Sequence, residues 1–198
     1  MTDIPALILA GGSARRMGGG DKPLLDLGGQ TILARIVARL GPVPVAISAN
    51  GDTARFAAFG LPVLGDGAFV DQGPLAGVLA GLDWAFGLDA SELLTVPGDS
   101  PFIPLDLAAA LAPAPACATR DGQVHPLAAL WPVACRASLR ALLSTPGRRD
   151  IRHFAQQLGV RRVDFSGGTW DPFANINTPD DLTAARSVLV RLGMEGAV

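Results

Sequence analysis

Three cationic side chains crowd one glycine-rich stretch, Leu9-Ala10-Gly11-Gly12-Ser13-Ala14-Arg15-Arg16-Met17-Gly18-Gly19-Gly20-Asp21-Lys22. Glycines at 11 and 12 let the backbone approach a ligand closely, and successive N–H groups in such a turn form an anion-binding nest. Backbone donors joined by Arg15, Arg16 and Lys22 suit a polyphosphate. Composition adds weight: of 16 basic residues, Lys22 is the one lysine. The stretch is not a Walker A loop, because Lys22 sits between Asp21 and Pro23 and no hydroxyl follows it. Nor does it carry the G-x-G-x-x-G spacing of a dinucleotide site.

Carboxylates and amides gather at other chain reversals. Pro97-Gly98-Asp99-Ser100-Pro101 places Asp99 directly after an apolar run. Magnesium takes one or two carboxylates and fills its remaining positions with phosphate oxygens and water, so Asp99 is a candidate metal ligand. A turn-capping Asp before Pro101 is the alternative. Asp66 ends Val63-Leu64-Gly65-Asp66. The string Asp71-Gln72-Gly73-Pro74-Leu75-Ala76-Gly77 then enters a helix with Pro74 at its first position. Asn50 closes Ser48-Ala49-Asn50, where an Asx turn accounts for it equally well. In Asn175-Ile176-Asn177-Thr178-Pro179-Asp180-Asp181, Thr178 reads as an N-cap, Pro179 as N1 and Asp181 as the closing half of a capping box. That leaves Asn175 and Asn177, which alternate on an extended segment and face one side. Gly147-Arg148-Arg149 is a basic turn, His125-Pro126 a lone histidine, and Trp84, spaced with Leu82 and Phe86, a core residue.

The elements that must position these groups alternate in type. Short apolar runs at Ile4–Ala10, Val43–Ser48, Leu61–Leu64 and Glu92–Val96 read as buried strands. Helical spacing marks Thr31–Leu40, Thr53–Phe59, Leu75–Phe86 and Leu105–Leu111. Ala116–Thr119 and Leu127–Trp131 flank Arg120–Pro126 as a hairpin or neighbouring strands. Helices follow at Val133–Leu143 and Ile151–Leu158, then a strand at Val160–Phe165 and a closing helix at Thr178–Leu192. The pattern predicts an α/β fold of three layers with a mostly parallel central sheet and a small antiparallel part, in one domain spanning 1–198. Ligands in such sheets bind beyond the carboxyl ends of the strands. The loops that carry Gly11–Lys22, Asn50, Asp66 and Asp99 all follow strands.

With 198 residues, 49% hydrophobic and 17% charged, the chain has material for a full core and is not a disordered sequence. A net charge of -2 gives no basic face for nucleic acid or an anionic membrane. Cys117 and Cys135 form no metal-ligand pair, so two buried thiols in a reducing compartment are expected rather than zinc. Neither a secretory leader nor a membrane-spanning run is read, and a cytoplasmic location follows.

The first loop resembles that of the nucleoside-diphosphate-sugar type of nucleotidyltransferases, whose L-A-x-G-x-x-x-R-M-G-x-x-K-x-L pattern is matched by Leu9-Ala10-Gly11-Gly12, Arg16-Met17-Gly18 and, after one residue more, Lys22-Pro23-Leu24-Leu25. Within that group the double glycine resembles the molybdenum cofactor guanylyltransferase (MobA) family, and the likeness runs from Leu9 to Leu182. It implies a Rossmann-like nucleotidyltransferase fold and transfer of GMP from GTP to the terminal phosphate of molybdopterin, with release of pyrophosphate. It further implies GTP contacts at Leu9, Ala10, Gly11, Gly12, Lys22, Asn50, Asp66 and Gly77. Mg2+ would sit on Asp99, and Asn175 and Asn177 would face the pterin and metal region. Lys22 and Arg16 would neutralise charge on the leaving pyrophosphate while N–H groups from Ala10 to Ser13 cradle the phosphates. Arg148-Arg149 resembles the family's basic patch for the pterin phosphate, and His125-Pro126 its H-P string. Two details depart from the pattern: Ser48 stands where an N-x-N string has its first Asn, and Gly98 replaces the Cys of P-C-D-x-P. Proteins that deliver the cofactor or accept the product are implied partners, and a monomer is expected. A cytidylyl- or sugar-phosphate nucleotidyltransferase and a non-catalytic nucleotide-binding module are the competing readings.

Overall fold

The computed structural model describes residues 4–11, 21–147 and 149–193. Seven strands form one sheet in the order β3-β2-β1-β4-β6-β5-β7. They are β1 (Ala6–Leu9), β2 (Val45–Ser48), β3 (Val63–Leu64), β4 (Glu92–Pro97), β5 (Ala116–Arg120), β6 (Gln123–Pro132) and β7 (Arg161–Asp164). Only β6 runs against its neighbours. The mostly parallel sheet with a small antiparallel part is as the sequence predicts.

Alternation along β1 divides the core into two. Ala6 and Ile8 face a layer made by α1 (Ile32–Leu40), α3 (Leu107–Leu111) and α6 (Pro179–Leu192). Leu7 faces α2 (Pro74–Gly87), α4 (Arg136–Ser144) and α5 (Ile151–Gln157). Period-2 burial on both faces is what a parallel strand covered on two sides requires. No helix among the described residues is long and apolar enough to cross a membrane.

The termini of these elements have local causes. The Thr31 hydroxyl accepts from Ala34 N at 3.1 Å and starts α1. The predicted capping box is present at α6, where Asp181 N donates to Thr178 Oγ1 and the Asp181 carboxylate accepts from the Thr178 N–H. Several boundaries differ from the sequence reading, and three of the differences have local causes. The helix expected from Leu105 begins at Leu107, because Pro104–Asp106 is spent in a turn closed by Leu107 N on Pro104 O. The helix expected from Val133 opens with a 3-10 turn over Val133–Cys135 before α4. The segment Arg120–Pro126 is mostly strand: Asp121 and Gly122, at φ 47 and 80, make a two-residue reversal and β6 starts at Gln123. Asp-Gly is the dipeptide such a reversal favours.

Candidate active site

The strand order reverses around β1: the chain moves outward through β2 and β3, then returns to place β4 on the other side. Open α/β sheets bind ligands in the crevice at that reversal. The loops after β1 and β4 deliver Lys22 and Asp99 there, with Lys22 Nζ 3.5 Å from Asp99 Oδ2 and their side chains 17% and 23% exposed. Lys22 also donates to Asn177 Oδ1, across 155 residues of sequence. The Asn175 amide nitrogen donates to Asp99 Oδ1 at 3.2 Å and Ser100 Oγ at 2.8 Å. Ile176 N donates to Asp99 O at 3.0 Å, so the extended segment before α6 is stitched along the β4 loop. Burial pushes the Asp99 carboxyl above the usual aspartate range, and the Lys22 ammonium pulls it part of the way back.

The segment itself is held by α6. The Asp181 carboxylate accepts from the N–H groups of Asn177 and Thr178, each at 2.8 Å. These bonds, that from Asn177 first, hold the Asp181 carboxyl below its ordinary value. The cap that starts the helix therefore also aims Asn177.

Beside this cluster lies a cavity of about 320 Å3. Leu9, Gly11, Asn50, Asp66 and Gly77 all line it, as do Gly73 and Pro74 of the turn that the family resemblance places by the base, and four residues the sequence reading did not assign a role: Ser48, Ala49, Asp71 and Leu127. Asn50 and Asp66 clamp each other: Asn50 Nδ2 donates to Asp66 Oδ2 at 2.6 Å, and Asp66 N donates to Asn50 Oδ1 at 3.0 Å. Arg55 extends the clamp, donating to Asn50 O at 3.0 Å and pairing with Asp21 Oδ2 at 3.1 Å. Asp21 precedes Lys22, so this edge of the cavity is tied to the first loop. Asp71 accepts no hydrogen bond from any described residue and holds φ 65.

Gly77 has a packing reason to be glycine. A Cβ there would lie 2.3 Å from Ser48 Oγ and 3.2 Å from Leu9 Cδ2, so α2 reaches β1 and β2 only without a side chain. At Gly98 a Cβ would lie 2.9 Å from Leu9 O, the same oxygen that accepts the Gly98 N–H.

The structure corrects one expected contact. Ala10 was expected to offer its N–H to phosphate, but that N–H donates to Ser48 O at 2.9 Å, since the sheet ladder runs one residue past β1. Gly12, Ser13, Arg15, Arg16 and Arg148 lie outside the described residues. Arg149 is not turned to the Lys22–Asp99 cluster. It donates to Gln72 Oε1 at 2.9 Å and to Thr145 O, as the spacing alone could not show. His125 packs against Phe173, centroids 4.9 Å apart and planes tilted by 31°, and is not among the residues lining this cavity.

Asp99 is the carboxylate paired with Lys22, and no group of three or more metal-ligating side chains occurs among the described residues. That donor set fits a hard cation held mainly by ligand phosphates. It does not fit a closed protein cage.

Residues 6–161 match the MobA-like NTP transferase domain. The chain is 52% identical to the molybdenum cofactor guanylyltransferase of Acidiphilium cryptum, covering 93% of this chain and 94% of that one. It is 47% identical to that of Mesorhizobium japonicum, over 94% and 96%. Its fold is shared with molybdopterin-guanine dinucleotide biosynthesis protein A from Archaeoglobus fulgidus, at a TM-score of 0.73 and 19% identity over 95% of this chain and 100% of that one. It is also shared with 4-diphosphocytidyl-2C-methyl-D-erythritol synthase from Anaerococcus prevotii, at 0.66 and 15% over 95% and 98%. By sequence over nearly its whole length, the chain belongs to the family of the molybdenum cofactor guanylyltransferases.

Proposed function

We propose that this chain transfers GMP from GTP to the terminal phosphate of molybdopterin, releasing pyrophosphate and forming the guanine dinucleotide cofactor. The observation that carries the reading is the meeting of Lys22, Asp99 and Asn177, from three distant segments, beside a cavity of about 320 Å3 to which the end of β1 and the start of the first loop contribute Leu9 and Gly11. The relatives at 52% and 47% identity bear the name of this activity.

The acceptor phosphate is already an anion, so no general base is needed. One of its oxygens forms a bond to the α-phosphorus as the bond from that phosphorus to the β-phosphate oxygen breaks, and both electrons leave with pyrophosphate. The obstacle is repulsion between anions, so the chain's work is positioning and charge neutralisation. Lys22 turns from Asp99 to the phosphates when nucleotide enters. Asp99, freed of its partner, would hold Mg2+, which would supply charge neutralisation at the phosphates. Asn177 keeps the ammonium within reach of both positions, and Arg16 adds a second cation. Asp71 suits guanine: a carboxylate only accepts, and guanine presents adjacent N–H donors on one edge. Cytosine does not.

The same reading has the chain act as one domain over 1–198, as a monomer, in the cytoplasm. Its supply of acceptor comes from cofactor-delivering proteins and its product goes to molybdoenzymes. Cys117 and Cys135 are both buried and free, and burial pushes the Cys135 thiol up to about 11.

The test is incubation with GTP, Mg2+ and molybdopterin, following pyrophosphate, with CTP in parallel. Release that depends on molybdopterin and is faster with GTP is expected. Faster turnover with CTP, or none with either, overturns the reading.

A further inference from the structure

Asp21 stands at the N-cap of the 3-10 turn Lys22–Leu24, yet its side chain makes no capping bond to that turn. A cap is what an aspartate in that place ordinarily supplies. Here the carboxylate meets Arg55 instead, whose Nε lies 3.1 Å from Asp21 Oδ2. The Nε–H is not aimed at that oxygen, so the contact is an ion pair and not a hydrogen bond. The turn is closed by its own backbone: Leu24 N donates to Asp21 O at 3.0 Å and Leu25 N to Lys22 O at 3.1 Å, with Pro23 inside it. Asp21 and Lys22 are therefore one stiff piece. Whatever holds the Asp21 side chain also sets where Lys22 leaves the backbone.

Arg55 is itself held from several sides. Its Nη2 donates to Asn50 O at 3.0 Å and its Nη1 to Asp52 O. Its guanidinium lies 4.7 Å from the centroid of the Phe56 ring, and Phe56 is buried in the core. A guanidinium is a planar fork, so contacts on different edges fix its orientation. Asn50 is in turn clamped to Asp66 by two bonds that do not involve Arg55. Arg55 thus spans from the Asn50 edge of the cavity to the residue before Lys22. An ion pair whose side chains are 22% and 35% exposed contributes little to stability. What it can supply is placement.

We propose that Arg55 is a positioning residue that sets the distance between the Asn50–Asp66 clamp and the Lys22 ammonium, so that a nucleotide held at the clamp meets the ammonium with its outer phosphates. It acts through Asp21 and Lys22 and not by touching the nucleotide. The role rests on the proposed function for its occupant, a nucleoside triphosphate, but not for the identity of the base.

The test is a phosphate series by calorimetry on the full chain, with GTP, GMP, CTP and CMP. In R55A and in D21N the clamp keeps its own two bonds, so GMP affinity should change less than about twofold while GTP affinity falls about tenfold or more. R55K keeps the charge but has no fork to hold Asn50 O and Asp21 together, and should lose GTP affinity as R55A does. In K22A the ammonium to be placed is gone, so adding R55A should leave the ratio of GTP to GMP affinity where K22A puts it. Thermal unfolding close to wild type verifies the fold of R55A, and D21N carries the test if R55A is unfolded. Equal losses of GTP and GMP affinity make Arg55 a structural residue and overturn the proposal. So does full GTP affinity in R55K, or a further fall in the ratio when R55A is added to K22A. Wild type that binds and turns over CTP better than GTP sinks the proposed function, and the role of Arg55 is then decided by the same ratio between CTP and CMP. Wild-type turnover of GTP with an unchanged GTP-to-GMP ratio in R55A overturns the role of Arg55 and leaves the proposed function. No binding of either triphosphate by wild type overturns both.

Discussion

The contact between Lys22 and Asp99 makes a prediction that needs no substrate. At 3.5 Å, Coulomb attraction is about 1 kcal/mol in water and about 5 kcal/mol at an effective dielectric of about 20. Both side chains are mostly but not fully buried, so the value lies between these limits. Burial of Asp99 is the unfavourable side of the same account, as its raised pKa direction shows. K22A leaves that carboxylate without its counter-charge, and we expect a loss of about 1–3 kcal/mol in urea unfolding at pH 7. D99N removes the buried charge and should be neutral or stabilising. In the D99N background K22A should cost under about 0.5 kcal/mol, because what remains, the bond to Asn177, is replaced by water. The double-mutant cycle isolates the pair. pH gives a second readout. The folded value of Asp99 is above its unfolded one, so the neutral carboxyl is favoured in the fold at low pH and the penalty of K22A fades as pH falls through the folded value. If K22A costs the same in both backgrounds, the ion pair contributes nothing and the description of Asp99 as charge-compensated by Lys22 is wrong.

Other outcomes are equally specific. K22R keeps the charge but replaces a compact ammonium with a rigid fork between Asp99 and Asn177; turnover should fall at least about tenfold, and full activity would show that any cation suffices. G77A should cost about 1–3 kcal/mol from overpacking, and S48A/G77A should recover part of it by removing the 2.3 Å contact; no recovery would place the strain elsewhere. D181A should lose about 0.5–2 kcal/mol at pH 7 and weaken GTP-dependent turnover through Asn177. Because the folded carboxyl lies below its ordinary 3.8, that stability is present above 3.8 and lost as pH falls through the folded value. Unfolding curves for wild type and D181A should converge in acid, and a constant gap would contradict the cap.

Much of the architecture was legible because the cues were local. Thr178, Pro179 and Asp181 write a capping box in four residues, and the run from Ala6 to Leu9 is apolar on both faces because two helical layers cover it. Asp99 and Lys22 could be singled out by type and by their place after strands. Their contact with Asn177 could not, since nothing in the spacing relates positions 155 residues apart. Asp71, Ser48 and Leu127 were passed over for the same reason: they become neighbours only when α2, β2 and β6 pack. Ala10 was misassigned because a glycine-rich sequence does not say where the ladder stops and the loop begins. Arg149 was read by its charge, whereas its partners are a carbonyl four residues back and Gln72.

The stitching of the segment before α6 onto the β4 loop also orders events in time. All but one of the groups lining the cavity of about 320 Å3 lie between Leu9 and Gly77, and the last is Leu127. The hold on Lys22 waits for Asn177, and the aim of Asn177 waits for Asp181. At ribosomal rates of about 5–20 residues per second, that interval lasts several seconds. On the proposed function, a chain synthesised as far as Leu127 contains the residues of that cavity but still lacks the arm that steadies Lys22, so the residues for capture are made before those for turnover.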